Sequence, residues 1–159
     1  MKSVYIFVGV SGSGKSTFAA EYKKKYPLTT IISSDQIRKE LWGDESCQKQ
    51  QGVVWNCVYN RLAAAIKDSE SNTIMLDATN IERENRKELI SFIHDHGALA
   101  NAIIFTIPKD TCIARDASRQ RTVGKSVIEK QLKKYQGVST SEGFDNIYEW
   151  GDEGWKIVA

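Results

Sequence analysis

The sequence predicts an α/β fold: a parallel sheet with helices on both faces. Three observations point there. Short, continuously apolar runs alternate with helical segments along the 159 residues, and strands that read as unbroken apolar runs are buried on both faces by helices. A glycine-rich loop joins the first run to the first helix. Most of the polar residues with chemical potential follow strands, at the carboxyl ends where ligands bind in such folds.

Each element follows from its local pattern. Residues 4–8 read V-Y-I-F-V, the first strand. Residues 17–26 are helical and are stopped by Pro27. Residues 29–32 form a short β-branched strand, residues 35–42 a second helix, and residues 43–46 a polar break. Val54, Val58, Leu62, Ala65 and Ile66 recur at helical steps, with Trp55 and Tyr59 beside them, marking a long helix over about 48–69. Residues 73–76 are a third strand, and 83–96 a helix with Gly97 as its stop. Residues 100–107 are a fourth strand, and Pro108 opens a helix over 109–119. A further helix covers about 126–136, and the tail at 147–158 holds one or two short strands.

Apolar residues make up 41% and charged residues 26%, the balance of an ordinary globular protein. Residues 1–159 are expected to form one domain, with no internal repeat or linker. The net charge of +2 permits an anionic partner without demanding one, but eight basic residues face three acidic ones between positions 109 and 134. Cys47, Cys57 and Cys112 are odd in number and lack C-x-x-C spacing, so neither a disulfide framework nor a zinc site is indicated. With no signal peptide or membrane-length apolar run, a reducing, cytoplasmic setting is expected.

Residues 9–17 read G-V-S-G-S-G-K-S-T, the phosphate-binding G-x-x-x-x-G-K-[ST] loop between a strand and a helix. Its glycines let backbone N–H groups and the helix N-terminus point at a polyphosphate. Gly9, Ser11, Gly12, Ser13, Gly14, Lys15, Ser16 and Thr17 are therefore expected around ATP or another nucleoside triphosphate. Lys15 would reach the β/γ-phosphates and the Ser16 hydroxyl would hold Mg²⁺. A dinucleotide fingerprint fits worse, because Thr17 stands where the last glycine would be needed.

Asp35 closes S-S-D after the second strand, and Arg38 lies one helical turn on. In a phosphoryl-transfer cleft Asp35 would take the proton of an attacking hydroxyl while Arg38 holds a substrate phosphate. Helix capping by Asp35 and a surface charge at Arg38 are the alternatives. Asp77 ends T-I-M-L-D, the pattern of a strand-end acid near a nucleotide's Mg²⁺. Asn80 follows in D-A-T-N, where a turn-forming role is the alternative. Arg83 and Arg86 would line an anionic path or stand as solvated helix charges. Arg115 and Arg119 share a helical face before T-V-G-K, with Arg121 beyond, and would act from a lid on the transferring phosphoryl group; cations favoured by a helix terminus are the alternative. His94 and His96 read as structural or surface residues.

Taken together, these segments resemble the kinase domain of the polynucleotide 5′-hydroxyl kinase family. The likeness runs nearly end to end, through G-V-S-G-S-G-K-S-T, S-S-D-Q-I-R-K-E-L-W-G-D, M-L-D-A-T-N-I-E-R-E-N-R, A-R-D-A-S-R-Q-R and S-T-S-E-G-F. The resemblance implies a P-loop kinase-like parallel sheet with an Arg-bearing lid, ATP as donor, Mg²⁺, and the 5′-hydroxyl end of a nucleic acid as acceptor. It implies a general-base role for Asp35, acceptor-phosphate contact for Arg38, and a transition-state or donor-phosphate role for Arg115 or Arg119. Asp77 matches a family acid near the acceptor site. The segment T-V-G-K lacks the Val-Pro that the family often carries there. Nothing resembles the phosphatase or ligase modules often fused to this domain, so separate partners for such steps are expected. Relatives with the same motifs phosphorylate small molecules, which keeps a nucleoside or small-molecule kinase open. A nucleotide-dependent switch without turnover would not need Asp35, Arg38 and the lid arginines.

Overall fold

The computed structural model describes residues 1–44, 50–119, 122–151 and 153–159. Cys47, Arg121 and the expected start of the long helix at 48 lie outside the described residues. Among those described, the elements run β1 (Ser3–Val8), α1 (Lys15–Lys25), β2 (Thr29–Ser33), α2 (Ser34–Trp42), α3 (Gln51–Lys67), β3 (Thr73–Asp77), α4 (Arg83–Asp95), β4 (Leu99–Phe105), α5 (Lys109–Ala117), α6 (Lys125–Lys134), a 3₁₀ turn (Thr140–Glu142), β5 (Asn146–Gly151) and β6 (Gly154–Ile157).

The strands form one sheet of six in the order β2-β3-β1-β4-β5-β6. The expectation of a parallel sheet holds through β5, and only β6 runs antiparallel, to β5. The reason is chain length: β5 ends at Gly151 and β6 starts at Gly154, far too short for the crossover a parallel partner needs.

Side chains of β1 alternate between two layers. Val4, Ile6 and Val8 join Ile32, Ile74, Leu76 and Ala100 under Ile37 of α2, Val54, Val58 and Leu62 of α3, and Leu89 and Ile93 of α4. Phe7 faces the other way with Met75, Ile103 and Phe105, covered by Ala19 and Phe18 of α1. Cys57 is half-buried against the first of these clusters. A smaller cluster of Val10, Cys112 and Ile128 seats α5 and α6 against the start of the glycine-rich loop.

The structure closes one alternative left open by the sequence and overturns one expectation. Ser33, not Asp35, caps α2: its hydroxyl accepts from the Gln36 N–H at 3.2 Å, which leaves the Asp35 carboxylate unused for capping. Arg86 does not line an anionic path, because its side chain is fully buried. Its Nε donates to Glu142 Oε1 at 2.6 Å and its Nη1 to the Asn80 carbonyl at 3.0 Å. Glu142 in turn closes a capping box with Ser139, so the buried pair ties residues 139–142 to α4 and to the turn after β3. His94 meets Asp145 at 2.8 Å and His96 bonds its own helix at the Phe92 carbonyl, both on the surface as expected.

Candidate active site

Strand order decides which loops meet. β3 lies between β1 and β2, with Ser33 in register with Asp77. The glycine-rich loop after β1, the turn after β3 and the start of α2 therefore share one carboxyl edge of the sheet.

Two glycines in the loop have no substitute. Gly12 has φ +80 and a Cβ there would collide with the Cys112 carbonyl. Gly14 has φ +93, caps α1 without a side chain, and a Cβ there would stand 3.3 Å from Arg115 Nη1. Gly9 anchors the loop base through its N–H to the Thr79 carbonyl at 3.0 Å. The Ser13 N–H closes a turn onto Val10 O at 3.3 Å. Among the described residues, the amides of Gly12, Gly14, Lys15, Ser16 and Thr17 have no hydrogen-bond partner. They form a donor cradle at a helix N-terminus, which suits an anion with several oxygens.

Lys15 is buried and its Nζ donates to the Val10 carbonyl at 2.9 Å. Burial pushes this ammonium below the usual lysine range, while the Asp77 and Asp35 carboxylates oppose the shift. The Ser16 hydroxyl donates to Asp77 Oδ2 at 2.6 Å. Burial lifts the Asp77 carboxyl above the usual carboxylate range, against the pull of Lys15 and of the Ser16 hydrogen bond. A hydroxyl and a carboxylate joined beside a phosphate cradle are hard oxygen donors of the kind Mg²⁺ takes.

Asp35 is exposed, with a side-chain accessibility of 59%, and accepts from Arg38 Nη1 at 2.8 Å. Arg38 is 12% exposed and also donates to Ser34 Oγ at 3.4 Å and Gln51 Oε1 at 3.2 Å. Its buried Nε has no partner among the described residues. A guanidinium that keeps part of its surface open beside an exposed carboxylate is a pair that can hold an anionic group next to a proton acceptor.

Asn80 is buried, with φ +47, and its amide donates to the Phe7 carbonyl at 2.8 Å, so it shapes the loop ends. Arg83 is half-exposed and donates from Nη2 to the Gly137 carbonyl at 3.3 Å. On the α5 side, Arg115 reaches Gly14, and Arg119 pairs with the buried Asp116. Asp116 also accepts the Val123 N–H at 3.0 Å and the Gly124 N–H at 2.9 Å. Burial alone would lift its carboxyl, but Arg119 and the two amides outweigh that and hold it below the ordinary value.

Residues 4–138 match the model of the AAA domain family, well over half of the chain. The chain belongs to the AAA domain family. This AAA domain is similar to an adenylate kinase of Thermococcus onnurineus, 27% identical over 135 residues that cover 80% of this chain and 58% of that protein. It thus spans little more than half the length of that relative. A solved fungal RNA kinase superposes with a TM-score of 0.73 at 18% identity, over 99% of this chain and 39% of that one. A chain of the Pnkp1/Rnl/Hen1 RNA repair complex does so with a TM-score of 0.72 at 21% identity, over 99% of this chain and 49% of that one. The shared feature is the P-loop kinase fold.

Several residues of this AAA domain that shape the site carry no motif of their own. A cleft of about 430 Å³ opens beside the loop, lined by Ser13, Gly14, Thr17, Phe18, Arg115 and Trp150. Trp150 comes from β5, so no local pattern announces it. Gln131 meets the loop from α6, and Glu142 meets Arg86 from 56 residues away. Asp116 had one signal, its placement three residues before Arg119 on the same helical face.

Proposed function

We propose that residues 1–159 act as one ATP-dependent kinase domain that phosphorylates the 5′-hydroxyl end of a nucleic acid. The observation that carries the reading is the Asp35–Arg38 pair at 2.8 Å beside the loop. A nucleotide switch has no need of an acceptor base next to a mostly buried guanidinium.

The donor lies along Gly9, Ser11, Gly12, Ser13, Gly14, Lys15, Ser16 and Thr17, with its nucleoside in the Trp150–Phe18 cleft. Lys15 and the loop amides left open among the described residues hold the phosphates, and Arg115 and Arg119 approach them from the lid. Ser16 and Asp77 would hold Mg²⁺, which neutralises charge between the β- and γ-phosphates when bound. Asp35 takes the proton of the attacking hydroxyl as that oxygen bonds to the γ-phosphorus. The bond from the γ-phosphorus to the β-bridging oxygen breaks, and the nucleoside diphosphate leaves with the electron pair. Arg38 orients the acceptor through the phosphate 3′ of its first sugar, with Asp77, Asn80 and Arg83 shaping the wall behind it. A reducing, cytoplasmic setting and separate phosphatase or ligase partners complete this reading.

A second reading, transfer to a small nucleotide or alcohol, draws support from the adenylate kinase relative. One panel separates the two: MgATP offered with a 5′-hydroxyl oligonucleotide, a nucleoside 3′-monophosphate, the plain nucleoside and AMP. The first two should react much faster than the nucleoside. Preference for AMP, or equal rates with nucleoside and 3′-phosphorylated acceptor, assigns a small-molecule kinase instead.

A further inference from the structure

Helix α6 grips the phosphate loop through one side chain. The Ser11 N–H donates to Gln131 Oε1 at 2.8 Å, and Gln131 Nε2 donates to Ser11 Oγ at 3.1 Å. Ile128, three residues earlier on the same face, is fully buried against Val10 and Cys112. Thus α6 fastens the outer arm of the loop at two adjacent residues, one by packing and one by a paired hydrogen bond. The same helix is capped by Gly124, whose N–H donates to Asp116, which lies between the two lid arginines in sequence.

The loop's amides divide accordingly. Ser11 is committed to α6 and Ser13 to the Val10 carbonyl, whereas the amides from Gly14 to Thr17, and that of Gly12, remain open among the described residues. A chain of consecutive donors binds a polyphosphate well only if its backbone is fixed beforehand, since ordering it on binding costs affinity.

We propose that Gln131 is a positioning residue for the donor: by holding Ser11 it fixes the outer arm of the phosphate loop and seats α6 on it. The inference rests on the nucleotide-donor reading above. Gln131 touches neither phosphate nor acceptor in this role, so its loss should act on donor binding and leave the chemical step nearly intact.

The test uses the full chain and Gln131→Met, which keeps length and packing but makes neither hydrogen bond. The Kd for MgATP by calorimetry and the KM for MgATP should rise about tenfold, with kcat within about threefold and the unfolding temperature unchanged. Hydrogen exchange at the Ser11 amide should be slow in the wild type and in Gln131→Glu, whose carboxylate accepts from both Ser11 groups, and fast in Gln131→Met. Ser11→Ala, which removes only the hydroxyl half of the pair, should weaken MgATP about threefold and serves if Gln131→Met does not fold. An unchanged or tighter MgATP Kd in the variants, or fast Ser11 exchange in the wild type, overturns the inference. If the wild type binds MgATP yet transfers to no acceptor, the kinase reading fails while the binding ratio still judges Gln131. If it binds no MgATP, both fall.

Discussion

The Ser16 hydroxyl and the Asp77 carboxylate, 61 residues apart in sequence, meet at 2.6 Å at the mouth of the phosphate loop. Asp77 is raised above its ordinary value of 3.8, chiefly by burial. A carboxyl whose folded pKa exceeds its unfolded one contributes stability that is complete below the unfolded value and is lost as pH rises through the folded value. Asp77→Asn should therefore melt higher than the wild type at pH 7, with the difference shrinking as pH falls towards 4. The same variant should lose Mg²⁺-dependent transfer. Thermal scans across that range check the sign, and a difference that grows on acidification would contradict it.

Lys15→Ala is expected to abolish transfer from ATP without unfolding the chain. Removing the buried ammonium takes away the loop's one side-chain cation but leaves the sheet and its two packed layers intact. Turnover retained by a normally melting variant would remove Lys15 from the donor site.

For the acceptor, Asp35→Asn should silence every substrate. Arg38→Ala should erase most of the preference for a 3′-phosphorylated acceptor over the plain nucleoside. Since a charged hydrogen bond to a bound phosphate is worth about 1.5–3 kcal/mol, the preference lost is on the order of 10- to 100-fold in kcat/KM. Steady-state kinetics on both acceptors measures it.

The lid arginines predict a kcat effect. If Arg115 or Arg119 meets the transferring phosphoryl group, its replacement by Ala lowers kcat on the order of 10³-fold or more, with little change in acceptor KM. Asp116→Ala should mimic part of that loss, because Arg119 and the amides of Val123 and Gly124 lose their common partner. Losses under about tenfold at both arginines would leave them as cations favoured by a helix terminus, with no part in transfer.

Breaking the buried pair Arg86–Glu142 should cost stability, not chemistry. Glu142→Ala leaves a fully buried guanidinium without its counter-ion, a loss of about 3–5 kcal/mol. Urea unfolding should show a lowered midpoint, with KM values unchanged in the fraction that remains folded.

Much of this was legible in the sequence because it is local. The loop and its flanks, the strand-end acids Asp35 and Asp77, and the apolar period of α3 are each read within about a turn or two of chain. Their convergence on one edge also followed, from the rule that parallel strands present their carboxyl ends together. What escaped depends on contacts across long separations. The period of α4 gives no sign that Arg86 points inward, because its partner Glu142 lies beyond β4, α5 and α6. Gln131 sits among lysines on α6 and reads as one more polar surface residue until α6 is seen lying on Ser11. The sequence leaves capping by Asp35 open as an alternative because Ser33, Ser34 and Asp35 are all competent caps, and only the extended backbone at Ser33 selects it.

Phe18 of α1 and Trp150 of β5 pack together, ring centroids 5.4 Å apart, and line the cleft side by side. Trp150 belongs to the β5–β6 hairpin, whose residues lie after position 138, where the family match ends. A nucleoside seated against the Phe18–Trp150 pair would therefore touch both α1 and the β5–β6 hairpin. Its binding free energy would be shared by a segment that holds the sheet's edge, where Trp155 and Ile157 stand exposed. Occupancy would then be readable far from the phosphates, as resistance of the carboxyl-terminal residues to proteolysis.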